Sequence, residues 1–112
     1  MEAYKTEPYV PEYDLSIKGI VSEIFREQSA ATVKKLREAF MKLLINGIPP
    51  EFIFIGMLKE IMKKPKSERF QMNVINECSF FENRSQNGQK AIMHLEAFVA
   101  KIMCLLVDKN NN

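Results

Sequence analysis

The chain has 112 residues, of which 46% are hydrophobic and 27% charged, and its formal net charge is +2. This balance excludes an intrinsically disordered chain, which needs low hydrophobicity and high net charge. It also gives no electrostatic case for nucleic-acid binding, and the length allows one core but not two.

Residues 1–13, MEAYKTEPYVPEY, carry two prolines and three tyrosines without periodicity. They read as an extended connector or leader. Asp14 and Ser16 are both suitable N-caps for a first helix reaching about Gln28. Its apolar stripe is Ile17, Ile20, Val21, Ile24 and Phe25. Ser29 then caps a second helix over about 30–46, with Val33, Leu36, Phe40, Leu43 and Leu44 facing inward. Met41 and Ile45 fall off that face. Gly47 after Asn46 supplies a left-handed stop.

Ile48-Pro49-Pro50-Glu51 is the sharpest punctuation in the chain. Pro50 suits the first turn of a third helix, where its missing N–H costs nothing, and Glu51 complements the positive helix end. This helix runs to about Lys64 with Phe54, Met57, Leu58, Ile61 and Met62 inward. Phe52 and Ile53 fall outside that face, and the excess of apolar surface points to a second contact region. Lys63-Lys64-Pro65-Lys66 is a positive C-terminal cap followed by a proline stop. Ser67 begins a fourth helix over 67–87, with Phe70, Val74, Cys78 and Phe81 at three- and four-residue steps and Phe80 pointing away. Asn87-Gly88 ends it.

The fifth helix, 88–107, organises the rest. Ala91, Ile92, Leu95, Phe98, Val99, Ile102 and Leu106 form one wide apolar face. The opposite side holds Met93, Ala97, Ala100, Cys104 and Val107 instead of charges. A helix that is apolar nearly all round is buried nearly all round. One small domain covers one face well, so the other calls for a neighbour. Glu96, between the two faces, suits a helix-to-helix or subunit ion pair. Residues 109–112 should fray. The chain as a whole predicts an all-α fold: a single five-helix bundle over 14–108 behind an extended connector.

Sites of chemistry are not evident. The four glycines, at 19, 47, 56 and 88, stand too far apart for a phosphate loop. No GxSxG, HExxH or CxxC occurs, and there is one histidine, so neither a nucleophilic triad nor a zinc centre is expected. Cys78 and Cys104 read as small core hydrophobes in a reducing compartment. No apolar run is long enough to span a membrane. These features describe a helical interaction module with no catalytic site. A stand-alone adaptor that captures an amphipathic helix and a helix-turn-helix DNA-binding module stay open, although no helix sets Asn or Gln beside a clustered Arg/Lys face.

Two stretches carry a resemblance. Ile48–Leu58, IPPEFIFIGML, and Gly88–Met103, GQKAIMHLEAFVAKIM, resemble the C-terminal collar domain of replication factor C small subunits, closest to the subunit-three type. The resemblance covers about half the chain strongly; Pro65–Asn87 fits in length and helical character but weakly in residues. It implies a collar that holds together a hetero-pentameric, nuclear clamp loader. That assembly uses ATP and magnesium, in ATPase modules N-terminal to the collar, to place a sliding clamp on primer–template DNA. No catalytic or cofactor-binding residue of that machinery has a matching position in this chain. In that family neighbouring collars meet side by side through such helices. With the excess of apolar surface on the fifth helix and at Phe52 and Ile53, this leads to the expectation that Phe52, Ile53, Met93, Ala97, Ala100 and Cys104 face partner subunits and that the isolated chain self-associates through them.

Overall fold

The computed structural model of the chain describes residues 11–86 and 90–108, with the side chains of 13–85 and 90–108. Five helices follow one another: α1 (Pro11–Arg26), α2 (Ala30–Ile45), α3 (Pro50–Met62), α4 (Glu68–Gln86) and α5 (Ala91–Val107). The expected all-α bundle is therefore found. Its first helix starts three residues before the expected boundary at Asp14, so Pro11–Tyr13 are helical and not connector. The rest of the connector, residues 1–10, lies outside the described residues, as does the tail 109–112. The fifth helix starts at Ala91 and not at 88, directly after Lys90 in a left-handed conformation (φ 63°).

Local chemistry sets the helix ends. The Ser29 hydroxyl accepts the Thr32 N–H at 3.2 Å and so caps α2. At the other end Gly47 adopts φ 89°. The Gly47 N–H donates to the Leu44 carbonyl at 3.0 Å and the Ile48 N–H to that of Leu43 at 3.1 Å. This is a Schellman closure, and the buried Ile48 supplies its apolar contact. Two residues later Pro50 opens α3 with Glu51 in its first turn. The Ser67 hydroxyl accepts the Phe70 N–H at 3.1 Å and starts α4.

Packing puts α3 and α5 at the centre. α3 touches α1, α4 and α5, while α5 lies against α4 on one side and α2 on the other. Their shared core is aromatic: the Phe98 ring sits 5.5 Å from Phe54 and 6.4 Å from Phe81. A second aromatic contact, Phe25 edge-on to Phe70 at 6.4 Å, ties α1 to α4. The apolar stripes expected for α1, α2 and α4 turn inward, with Phe25, Val33, Leu44 and Phe81 only partly covered at the margins.

Two expectations are corrected. Ile53 is 0% exposed and belongs to the core, because α3 is embraced by three helices and its buried arc is wider than a single stripe. Cys104 is exposed and is not a core residue; only Cys78 is buried. Thr32, which no apolar pattern marks, is buried as well. Its hydroxyl lies 3.2 Å from that of Ser29, so burial leaves it hydrogen-bonded.

Candidate subunit interface

The outward side of α5 follows from its period. Leu95, Phe98, Val99 and Ile102 point to the core and are fully buried. Residues half a turn away must point out. Met93 is 56% exposed and Val107 62%, Ala100 and Cys104 are exposed, and Ala97 is half-buried. These residues form one apolar strip without a charge at its centre.

The α2 helix borders this strip and runs antiparallel to α5. The start of α2, from Ala30 to Val33, shares a groove with Met103, Cys104 and Val107 at the end of α5. One to two turns along, the Arg37 guanidinium Nε lies 3.3 Å from Glu96 Oε2. This is the helix-to-helix ion pair that the position of Glu96 suggested. The groove has an apolar floor of Val33, Ala100, Met103, Cys104 and Val107, and Lys34, Arg37 and Glu96 line it as charged groups. Its volume is about 610 Å³. A further turn along α2 come Met41 and Ile45, exposed as expected, with Ile45 at 77%. Small side chains such as Ala97 and Ala100 allow the backbone of another helix to approach closely, and the sulfur side chains adapt to irregular partners.

Of the six residues expected at an interface, the structure brings Met93, Ala97, Ala100 and Cys104 together on one helix face. It does not add the α3 pair. Ile53 is interior. Phe52 is half-buried against the core, on the side where α3 meets α1, and its carbonyl accepts the Tyr13 hydroxyl at 2.6 Å.

Exposed apolar side chains on α4 escaped the sequence reading apart from Phe80. Met72, Ile75 and Phe80 on α4 are all exposed. The Phe80 ring packs edge-on against Phe81 at 5.0 Å, and the Arg84 guanidinium lies 5.3 Å from its centroid. Met72 lies on an outer stripe without charge, followed at helical spacing by Asn76, Ser79 and Asn83, while Ile75 and Phe80 flank that stripe and leave no periodic signal.

Titratable groups add little chemistry. Burial, with a smaller contribution from the Glu82 charge, pushes the Cys78 thiol up to about 11 and keeps it protonated. Its sulfur lies 3.8 Å from the Phe54 carbonyl. The Arg26 guanidinium holds the Glu23 carboxyl below its ordinary value. Among the described residues no group of three or more His, Cys, Asp or Glu could hold a metal ion, and no helix is long and apolar enough to cross a membrane.

Comparison with known proteins agrees with the resemblance carried by IPPEFIFIGML and GQKAIMHLEAFVAKIM. Residues 13–110 match the family described as "Replication factor C subunit 3, C-terminal domain". "Probable replication factor C subunit 3" of Dictyostelium discoideum is 42% identical over 98 residues, covering 88% of this chain and 28% of that protein. "Replication factor C subunit 3" of Arabidopsis thaliana is 39% identical over 89 residues, covering 80% and 25%. "Replication factor C subunit 5" of Oryza sativa subsp. japonica is 36% identical over 94 residues, covering 84% and 26%. The chain thus spans about a quarter of the length of these relatives.

Proposed function

Because the chain belongs to the replication factor C subunit 3 family, as its C-terminal domain, we propose that it is the collar through which such a subunit joins the others in a hetero-pentamer. The observation that carries this reading is the outward strip of α5. Met93, Ala97, Ala100 and Cys104 present an uncharged surface of small and soft side chains on a helix whose other face is already core. Packing a neighbour's helix there removes that surface from water, which is the driving term for such association.

In this reading the chain itself performs no catalysis. ATP and magnesium act in the ATPase modules of the parent subunits. The sliding clamp and primer–template DNA are engaged by the whole complex, in the nucleus. The net charge of +2 fits a domain that meets protein and not phosphate. Self-association of the isolated chain through the same strip is expected when its partners are missing.

The test is Ala100→Arg. Ala100 is exposed, so an arginine adds bulk and charge to the strip without entering the core. The variant should keep its far-ultraviolet circular dichroism spectrum and melting temperature, yet lose recovery with the other replication factor C subunits on co-expression. Undiminished recovery with the fold intact would remove the strip from the interface.

A further inference from the structure

We infer that Tyr13, Phe52 and Gly56 form a clasp that fixes the direction in which polypeptide preceding residue 11 enters the bundle. The inference rests on the reading of the chain as a C-terminal domain that follows other parts of a subunit.

The first turn of a helix has no helical partners for its own N–H groups and frays readily. A frayed first turn of α1 would give whatever precedes it a swivel, with two soft dihedrals per unfixed residue. Here the turn is tied down from outside. The Tyr13 hydroxyl donates to the Phe52 carbonyl at 2.6 Å, across 39 residues of chain. Burial and the neighbouring Asp14 charge raise the phenol above its ordinary value, so it remains a donor at neutral pH. The receiving end is rigid, because Pro49 and Pro50 set the start of α3.

Gly56 makes the approach possible. A Cβ at that position would lie 3.3 Å from the Tyr13 hydroxyl oxygen and 3.4 Å from Ile17 Cγ2. α1 therefore rests on the α3 backbone where a side chain is missing, and an alanine there would press on the tyrosine hydroxyl. The clasp is separate from the α5 strip.

Hydrogen exchange on Tyr13→Phe tests this. The amides to follow are those of Leu15, Ser16 and Ile17, which by helical geometry bond the carbonyls of the first turn. They should exchange about two- to tenfold faster, corresponding to about 0.5–1.4 kcal/mol of local opening. Amides of α3, α4 and α5 should keep their protection, and recovery with the other subunits should persist. Unchanged exchange at residues 15–17 would overturn the clasp. Loosening throughout the bundle would make Tyr13 an ordinary packing residue and overturn it equally. Lost recovery would place this corner in the interface instead. Failure of the assembly reading shows separately, as an Ala100→Arg variant that still binds its partners.

Discussion

Removing the Phe98 ring should cost a large part of the domain's stability. The side chain is 0% exposed and joins three helices: its own, α3 through Phe54 at 5.5 Å, and α4 through Phe81 at 6.4 Å. Replacing a buried Phe by Ala costs about 3–5 kcal/mol, more where the cavity cannot collapse. Collapse is limited here, because Leu95, Val99 and Ile102 beside it are already fully packed. Two lost ring pairs add to the loss from area alone, at about 0.5–1.5 kcal/mol each. The upper half of the range, about 4–5 kcal/mol, follows for Phe98→Ala. Small domains have about 5–15 kcal/mol in total, and each kcal/mol shifts Tm by about 4–8 °C at this size. Tm should therefore fall by at least about 16 °C, read by far-ultraviolet circular dichroism, with a matching drop in the urea midpoint. A fall of less than about 5 °C would mean that Phe98 does not hold these helices together, and the packing of α5 against α3 and α4 would have to be redrawn.

Three further outcomes are expected. In the folded chain near neutral pH one thiol, Cys104, should react with an alkylating reagent, while Cys78 should react only after unfolding; two thiols labelled without denaturant would contradict the burial of Cys78. Because the Cys78 thiol is raised from its ordinary value of 9.0 to about 11, the unfolded chain loses that proton first. Its contribution is thus complete below about pH 9 and is lost as pH rises towards 11. Urea midpoints at pH 8 and pH 10 should differ less in Cys78→Ala than in the parent chain, and an equal difference would show that the group does not contribute. Ser29→Ala should lower stability by about 1 kcal/mol, since the Thr32 N–H loses its 3.2 Å acceptor; no change in the denaturation midpoint would mean that water serves that N–H as well as serine does.

The helices were legible because their punctuation is local. Ser29, Gly47, Pro50 and Ser67 each act on residues within one turn, and sequence order displays them directly. Facing was legible on α1, whose stripe of Ile17, Ile20, Val21 and Ile24 is buried, and on α5, whose two unlike faces separate cleanly. It failed on α3. Ile53 looks peripheral on a single stripe, but burial there depends on a third helix that no local pattern reports. Phe52 had the same difficulty, since the bond from Tyr13 to its carbonyl crosses 39 residues and leaves no periodic trace. Cys104 was read both as core and as partner-facing, and only the placement of α2 and α4 around α5 decides between them. The groove between α2 and α5 is likewise a property of two segments far apart in the chain, so the sequence showed one wall of it and not the other.

In the proposed assembly, that separation in sequence couples recognition to the completion of folding. The floor of the groove comes largely from α5, and so does the centre of the core, through Leu95, Phe98, Val99 and Ile102. During synthesis the residues of α1 to α4 emerge first. Until α5 docks, they have neither a finished interior nor a surface that a neighbouring subunit could hold. A chain interrupted or damaged before residue 91 would therefore be rejected twice by one defect, once by its own instability and once by its partners. Incorporation into an assembly would in this way inspect each copy for completeness, with no separate device for doing so.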